Sequence, residues 1–328
     1  MAAIRRPDIE ISEFLKDNES SEKWLRSSVV AVIPAYNEAR FIGSVVLLTR
    51  EYVDEVIVVD DGSTDNTGAI ARKAGAIVVT HEVNRGKGEA LNTGFQKAHE
   101  LLLPTAVVTL DGDWQHLPEE LPLVVDPILK GQADVVIGSR YLKHTSKVPF
   151  QRILGHAGFT RVINLLSGTR VTDSQSGFRA FSLEAVRQIK FTSRGFSVES
   201  EMQFVASDRA LRVVEVPITI RYLDHPKRSL LRHGFKVLSG ILRLIGQHRP
   251  LLFFTITSII SLTLAAIMIL LEVEQYRGDH TFDVIIGILA LIFLINGSIA
   301  LFTGIILHTI RGFVLDMIRP VFNREREH

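Results

Sequence analysis

Two pairs of acidic residues have the types and spacing that metal or nucleotide chemistry needs. Asp111 and Asp113 flank Gly112, and Asp60 and Asp61 are adjacent; each pair ends or follows an apolar run that reads as a β-strand. Carboxylates one residue apart are hard oxygen ligands of the kind that Mg²⁺ or Mn²⁺ uses when it bridges a diphosphate. A DxD triplet alone is common by chance, so its place at a strand end is what favours a metal site.

Neighbouring segments fit the same chemistry less specifically. Residues 84–92 read NRGKGEALN, and the glycines and basic residues before a helix, Lys87 among them, suit contact with a phosphate. The residues of the turn Gly62–Asp65 can be explained by ordinary turn and helix-cap roles without any ligand. Those roles do not explain the two adjacent acids before the turn. His116 is compatible with a metal ligand or, because a Leu-Pro pair follows it, with the entry to a helix.

An alternation of short apolar runs and helical patterns predicts the elements that position these residues. Strands are predicted over 29–34, 55–61, 76–81, 105–113 and 133–139, and helices over 39–49, 65–73, 88–101 and 119–129. This order predicts an α/β fold with a mainly parallel sheet covered by helices on both faces. Ligands of such sheets bind beyond the carboxyl ends of the strands, which is where the acidic pairs lie.

The C-terminal part of the chain is typical of a membrane protein. The ranges 251–271 and 284–310 contain no Asp, Glu, Lys or Arg. As helices, both are long enough to cross a hydrocarbon core of about 30 Å. Two buried helices of a globular core would instead show a polar stripe, which neither range has. We therefore expect a hairpin of two transmembrane helices.

Basic residues beside the spans predict their orientation. Six Lys or Arg and no acid lie in 227–250, the connector 272–283 carries four acids and one Arg, and four Arg follow the second span. Basic segments stay in the cytoplasm, so a cell-membrane protein with its catalytic body and both termini in the cytoplasm is predicted. The basic residues of 227–250 would hold the catalytic body at the lipid headgroups or, alternatively, serve only as an ordinary topology signal. The spacing within 233–248 predicts an amphipathic helix in the headgroup layer or, alternatively, a helix packed on the body.

The predicted organisation has seven parts, and the composition excludes several classes of protein. The parts are an N-terminal extension (1–27), a catalytic domain (28–226), a basic juxtamembrane helix (227–250), a first span (251–271), an external loop (272–283), a second span (284–310) and a tail (311–328). The net charge of +1 excludes a general nucleic-acid binder. The lack of cysteine excludes disulfides, cysteine-ligated zinc, iron–sulfur clusters and thiol catalysis.

Six motifs in order resemble the family 2 glycosyltransferases of GT-A fold, over about 28–223. They are PAYNE, VVDDGSTD, NRGKGEALN, DGD, DVVIGSRY and DSQSGFRAF. The last two narrow the resemblance to the polyprenyl-phosphate branch, which includes dolichyl-phosphate mannose synthase and related glucosyl and N-acetylglucosaminyl enzymes. The hairpin is similar to that of branch members with two or four spans. Trp114 is bulkier than the family pattern leads us to expect, which would alter the sugar pocket. The lack of a QxxRW motif argues against a processive polysaccharide synthase.

The resemblance implies a role for each matching position. The residues that would contact the nucleotide sugar are Pro34, Tyr36, Glu38, Asp60, Asp61, Lys87, Asp111, Gly112 and Asp113. Asp111 and Asp113 would bind Mg²⁺ or Mn²⁺, with Gln115 as an additional ligand. Arg140 and Arg179 are expected to face the cleft and grip a phosphate. The acceptor phosphate or the leaving diphosphate would also meet Lys227, Arg228 and Arg232. The catalytic residues would be Asp113, Asp173 and Arg140.

The implied reaction is the inverting transfer of one hexose from GDP-mannose, UDP-glucose or UDP-N-acetylglucosamine to polyprenyl (dolichyl) phosphate at the bilayer. A phosphate monoester, with a second pKa of about 6, is mostly dianionic at neutral pH and has little need of a general base. Asp173 is therefore expected to position the acceptor or to support the metal and Arg179, and a loop cap is the alternative. Other possible functions are transfer to another lipid or a growing glycan, a silent membrane scaffold and a soluble nucleotidyltransferase. The sequence leaves the donor and the oligomeric state open, and a homo-oligomer is compatible with it.

Overall fold

The computed structural model describes residues 28–142, 150–192, 198–221, 246 and 249–324. The chain divides into a first unit that ends at Arg228 and a second that begins at Ser229. The predicted N-terminal extension, nearly all of the predicted juxtamembrane helix, and the three basic residues Lys227, Arg228 and Arg232 lie outside the described residues.

The first unit contains one seven-stranded sheet in the order β3-β2-β1-β4-β6-β5-β7. Its strands are β1 (Val29–Ala35), β2 (Glu55–Asp60), β3 (Ile77–Thr80), β4 (Ala106–Thr109), β5 (Val135–Ser139), β6 (Arg179–Ser182) and β7 (Val213–Pro217). β1 pairs in parallel with β2 and β4, β2 with β3, and β5 with β7. The prediction of a mainly parallel sheet is thereby confirmed. The short strand β6 lies antiparallel between β4 and β5, and the sequence patterns did not predict it.

Helices cover both faces of this sheet, as predicted. They are α1 (Ile42–Thr49), α2 (Thr67–Lys73), α3 (Lys87–Leu102), α4 (Leu121–Leu129), α5 (Phe150–Ser167), α6 (Leu183–Gln188) and α7 (Val198–Asp208). Val29, Ala31 and Ile33 of β1 pack in one hydrophobic cluster with α1, α2 and α4, whereas Val30 and Val32 pack in a second cluster with α3, α6 and α7. Successive strand residues face opposite sides, so an uninterrupted apolar strand requires a helical layer on each face.

In the described part of the second unit, the chain forms two long helices, α8 (Pro250–Asp279) and α9 (Val284–Arg324). The ranges Pro250–Gly278 and Val284–Ile310 are long and apolar enough to cross a membrane, and most of their side chains are exposed rather than buried in a core. The two helices pack closely, because Gly297 lies against Leu262 and Ser261 Oγ donates to the carbonyl of Phe293 at 2.8 Å.

The ends of these helices differ from the prediction. The range 272–283 was expected to be a loop, but α8 continues to Asp279 and ends at His280 in a left-handed conformation. Glutamate and arginine are good helix formers, so the loss of hydrophobicity after Leu271 does not end the helix. Glu272 instead accepts the backbone N–H of Asp283 at 2.5 Å and closes the short connection. α9 likewise continues past Ile310 to Arg324.

Candidate active site

The DGD triplet forms a loop directly after β4. The predicted strand 105–113 is therefore too long, since β4 ends at Thr109. Gln115 donates to both oxygens of the Asp113 carboxylate, from its backbone N to Oδ1 at 3.1 Å and from Nε2 to Oδ2 at 2.7 Å. The loop thereby turns back on itself, and the charge of Asp111 acts on the carboxylate of Asp113.

His116 and Trp114 support this loop from inside. His116 Nδ1 accepts the backbone N–H of Asp111 at 3.3 Å, and its ring packs on Phe178 with 5.2 Å between centroids. Burial lowers the pKa of His116 to about 4, so the imidazole is neutral. This arrangement favours the structural interpretation of His116 over a metal ligand. Trp114 packs against the cluster that holds α1, and its φ of 65° is rare for a bulky residue.

Carboxylates crowd the space beside this loop. Burial, followed by the charges of Asp113 and Asp111, raises the pKa of Glu38 to about 7. Burial and the charge of Asp111 raise the pKa of Asp113 to about 6. Gly112 lies between these acids and Ile42, where an added Cβ would be 3.3 Å from Ile42 Cδ1 and 3.6 Å from Glu38 Cγ. The backbone is therefore closely packed at the triplet.

The residues around this crowded point suit a divalent cation that arrives with its own oxygen ligands. Within the part of the chain that the structure describes, no group of three or more His, Asp or Glu side chains is arranged around one metal position. Mg²⁺, however, commonly takes one or two carboxylates and completes its shell with water and substrate phosphates. Asp111 and Asp113 supply such a pair, and mutual repulsion between carboxylates is what a cation relieves. The side chain of Gln115 faces Asp113 through its amide nitrogen.

Lys87, the first residue of α3, lies in this cluster. Its Nζ is 2.5 Å from Asp111 Oδ1 and 2.7 Å from Glu199 Oε1. Gly86 precedes the helix with φ 94°, a conformation that favours glycine. Gly177 lies against the ion pair of Lys87 and Asp111, because a Cβ there would be 2.8 Å from Asp111 Oδ2 and 3.0 Å from Lys87 Nζ. The glycine thus permits a close approach of the backbone.

Asp60 and Asp61 are both buried and hold loops in place. Asp60 Oδ1 accepts the backbone N–H of Ser63 at 3.1 Å. Asp61 accepts the backbone N–H groups of Arg85 at 2.9 Å and Gly86 at 2.7 Å, and its Oδ1 lies 2.7 Å from His81 Nδ1. Asp61 therefore fixes the segment that leads into Lys87, whereas Asp60 fixes the turn that follows β2. A direct contact of these two acids with a nucleoside remains a prediction.

The first strand end presents its residues differently. Pro34 is half-buried within β1, and Tyr36, just after the strand, is 45% exposed. The backbone N–H of Glu38 donates to Thr67 Oγ1 at 2.8 Å, which ties this strand end to the start of α2. The carboxyl ends of β1, β2 and β4 thus bring the predicted donor-binding residues to one edge of the sheet.

Arg140 and Asp173 form a two-pronged ion pair at the end of β5. Arg140 Nε and Nη2 lie 2.6 Å from Asp173 Oδ2 and Oδ1, respectively. Glu215 of β7 accepts the backbone N–H groups of Thr172 at 2.7 Å and Asp173 at 3.0 Å, which fixes the loop that carries the aspartate. Burial alone would raise the pKa of Asp173, but hydrogen bonds and charge from Arg140 lower it overall.

Arg179 does not face the cleft, contrary to the expectation. It begins β6, where it pairs with Thr109 on one side and Ile137 on the other, and it is fully buried. Its guanidinium donates to the carbonyls of Ser176 at 2.8 Å and Ser174 at 3.1 Å. A central strand position and this loop-binding role remove it from any contact with a phosphate.

Three further residues near the site were missed by the sequence reasoning, namely His81, Glu199 and Glu215. Each meets its partner across a long stretch of chain, and no local spacing relates the two. The two glutamates of the segment VESE were visible as acids at the start of a helix, but nothing in the pattern indicated that the first would reach Lys87.

The sequence model described as glycosyl transferase family 2 matches residues 30–190. The UDP-N-acetylglucosamine–dolichyl-phosphate N-acetylglucosaminyltransferase of Methanococcus voltae is 34% identical over 240 residues, with 66% of this chain and 95% of that protein covered. The chain belongs to glycosyl transferase family 2. The polyprenol monophosphomannose synthase of Mycolicibacterium smegmatis is a further relative, 30% identical over 207 residues with 58% of this chain and 76% of that protein covered. These similarities confirm the resemblance to the polyprenyl-phosphate branch of the family.

The fold of this chain is similar to that of a protein whose structure has been solved. Glucosyl-3-phosphoglycerate synthase from Mycobacterium tuberculosis, crystallised with Mn²⁺, UDP and glucosyl-3-phosphoglycerate, superposes with a TM-score of 0.56 at 26% identity. The match covers 75% of this chain and 86% of that one. The predicted fold class, a GT-A α/β domain with two C-terminal apolar helices, is confirmed.

Proposed function

We propose that this family 2 glycosyltransferase transfers one hexose from a nucleotide diphosphate sugar to a polyprenyl phosphate, with inversion at the anomeric carbon. The observation that carries the proposal is the cluster of Asp111, Asp113 and Lys87 at the end of β4, with Glu38 beside it. The names of the relatives support the lipid phosphate as acceptor. In the reaction, the bond from the anomeric carbon to the donor phosphate breaks, the leaving nucleoside diphosphate keeps the electron pair, and an acceptor phosphate oxygen forms the new bond.

The donor's diphosphate would lie against Asp111, Asp113 and Lys87. Mg²⁺ or Mn²⁺ held by the two aspartates, with Gln115 as a candidate third ligand, would act as a Lewis acid that stabilises the departing diphosphate. Lys87 supplies a positive charge at the first residue of α3, where the helix N-terminus also favours an anion. Pro34, Tyr36, Asp60 and Asp61 are proposed to line the nucleoside side of the same edge.

The acceptor needs charge and position rather than proton removal. Because its phosphate is mostly dianionic at neutral pH, it is already a nucleophile. Asp173 is held by Arg140 with its pKa below the ordinary value, so it is poorly suited to take up a proton. We propose that Asp173 orients Arg140 toward the acceptor phosphate. The three basic residues of the juxtamembrane segment, Lys227, Arg228 and Arg232, are proposed as further contacts.

The apolar helices α8 and α9 would tether the enzyme to the membrane that contains its lipid acceptor. The excess of Lys and Arg on the flanks of the pair supports an orientation with the catalytic unit and both termini in the cytoplasm. A basic segment beside a span is also attracted to anionic lipid headgroups.

The test is a transfer assay on membranes that contain the full chain. Labelled GDP-mannose, UDP-glucose and UDP-N-acetylglucosamine are each incubated with a polyprenyl phosphate, and the lipid product is extracted and hydrolysed in mild acid. We expect one donor to give a lipid-phosphate sugar, and the same membranes with Asp111 and Asp113 both replaced by alanine to give none. Transfer to a diacylglycerol or to a glycan, or formation of a sugar nucleotide, would contradict the proposal.

A further inference from the structure

Lys87 is shared between two carboxylates that differ in their access to solvent. Its Nζ contacts Asp111 Oδ1 at 2.5 Å and Glu199 Oε1 at 2.7 Å. The side chain of Asp111 is 32% exposed and that of Lys87 27% exposed, whereas that of Glu199 is only 7% exposed. The ammonium therefore joins an acid of the open cation site to an acid that is closed to solvent.

The fold fixes Glu199 firmly in place. α7 packs through Val198 and Met202 on the same hydrophobic cluster that holds Leu91 of α3, and the contact between Lys87 and Glu199 joins the first turns of the two helices. A carboxylate in the first turn of a helix is also favoured by the helix dipole. Glu201, two residues further on and equally buried, has a different partner, because it accepts from Thr192 N at 2.8 Å and Thr192 Oγ1 at 2.5 Å.

Lys87 contacts the carboxylate of Asp111, which would help to hold a divalent cation. Two cations at one carboxylate repel each other, so a bound divalent cation would favour movement of the ammonium away from Oδ1. The ammonium lies between the carboxylates of Asp111 and Glu199, and two acidic neighbours favour its charged form. An ammonium on a flexible stem can change partners, and Glu199 limits how far it can move.

We propose that Glu199 is a positioning residue that acts through Lys87. It shares the ammonium of Lys87 with Asp111, so that Lys87 would balance the charge of the Asp111 carboxylate whenever no divalent cation is bound to it. When a divalent cation and a nucleoside diphosphate arrive, Glu199 keeps the displaced ammonium beside the diphosphate. The role of the diphosphate rests on the proposed function, whereas the exchange between Lys87 and a cation does not.

The exchange is measured as the affinity of the purified full-length protein for Mn²⁺ alone, by electron paramagnetic resonance, without donor or acceptor. Lys87→Met removes the competing charge, so Mn²⁺ should bind about fivefold more tightly. Glu199→Gln leaves the ammonium to Asp111 alone, so Mn²⁺ should bind about fivefold more weakly. When Lys87 is already Met, Glu199→Gln should change the affinity by less than about twofold, because its effect passes through Lys87.

Two controls separate this role from a merely structural one. Glu201→Gln makes the same substitution one half-turn away on α7 and should leave Mn²⁺ affinity unchanged. UDP and GDP are then titrated in saturating Mn²⁺, where Glu199→Gln should lower the affinity for the nucleotide that the wild-type protein prefers by about tenfold. In turnover assays, the same substitution should raise the KM for the donor by a larger factor than it lowers kcat.

The outcomes separate this inference from the proposed function. A wild-type protein that binds no Mn²⁺, a Lys87→Met protein that binds it no more tightly, or an equal effect of Glu199→Gln with and without Lys87 would overturn the inference. If Glu199→Gln does not fold, Glu199→Asp, whose shorter side chain also weakens the contact with Lys87, replaces it in the same comparisons. A protein that shows the coupling but makes no lipid-linked sugar contradicts the proposed function and leaves this inference intact; a protein that makes the product without the coupling does the reverse.

Discussion

Two ion pairs flank the candidate site, and they are built differently. At the end of β5, the planar guanidinium of Arg140 meets both oxygens of Asp173 at 2.6 Å. At the end of β4, the ammonium of Lys87 is divided between Asp111 and Glu199. The first pair has one geometry in which both hydrogen bonds form, whereas a point charge between two acids has several of similar energy.

The difference indicates a division of labour between the two sides of the site. A fork that is also supported by Glu215 suits an element that keeps its position throughout the reaction. A shared ammonium suits an element that gives way to a cation and then contacts the donor. The four predictions that follow test this division, beginning with the largest expected effect.

Removal of the carboxylates on the exchangeable side should abolish turnover. Asp111→Ala with Asp113→Ala deletes the oxygen ligands proposed for the cation, and we expect a loss of at least about 1,000-fold in kcat, of the size seen when transition-state charge loses its stabilisation. Product formation in the lipid extract is the measurement. Excess EDTA should have the same effect on the wild-type protein and no additional effect on the variant. Undiminished turnover in either case would contradict the proposed role of the pair.

Exchange of lysine and arginine should affect the two sides unequally. Arg140→Lys loses the fork to Asp173 and should reduce kcat/KM for the lipid phosphate by about 30-fold, since a bidentate site does not tolerate this substitution. Lys87→Arg keeps a positive charge that can still bridge Asp111 and Glu199, so a loss below about fivefold is expected. Thermal unfolding of both variants controls for misfolding. Equal losses would remove the distinction between a fixed pair and an exchangeable one.

Loss of the charge on Asp173 should slow the reaction without changing its pH profile. The pKa of Asp173 is lowered in the folded protein. Such a carboxyl stabilises the fold at pH values above its pKa in the unfolded chain, and this stabilisation is lost only as the pH falls through the lowered pKa of the folded protein. Asp173 is therefore ionised across the neutral range, and Asp173→Asn should cost about tenfold in kcat through a poorly oriented Arg140. The measurement is log kcat against pH. Loss of an acidic limb in the variant would identify Asp173 as a general base instead.

The positions of the acidic pairs at strand ends could be predicted because strand and helix patterns alternate visibly along the chain. The direction of β6 could not, because four residues that read RAFS carry no sign of which neighbours they pair with. That same strand explains the error at Arg179. The resemblance to the family implied that Arg179 faces the cleft, but a central strand position buries it against the carbonyls of Ser174 and Ser176.

Contacts between distant segments set a second limit on prediction. Lys87 was recognised from its glycine-rich segment, yet its link to Glu199 depends on the packing of α3 and α7 on one face of the sheet. Asp61 was recognised as an acid at a strand end, but the backbone N–H groups that it accepts belong to the next strand's loop. Residue type therefore indicated where charge is needed, and only tertiary packing showed which groups meet.

The fourth prediction concerns stability and Glu120, a carboxylate bound by a backbone amide instead of a side-chain cation. Both of its oxygens accept the N–H of Thr219, at 3.0 and 2.9 Å, and burial raises its pKa to about 7. A raised pKa means that the folded protein binds the proton more tightly than the unfolded chain. The stability that this provides is complete below the unfolded value of 4.5 and is lost as the pH rises through about 7.

Glu120→Gln should therefore change how stability depends on pH while it preserves the shape of the side chain. Relative to the variant, the wild-type protein should lose of the order of 2 kcal/mol between pH 5.5 and 8, which corresponds to a few degrees in Tm. Tm measured at both pH values checks this, with Glu51→Gln at an exposed position as the control. A pH dependence identical in wild type and Glu120→Gln would show that Glu120 is ionised despite its burial, and that a backbone amide compensates a buried carboxylate as well as the guanidinium of Arg140 does.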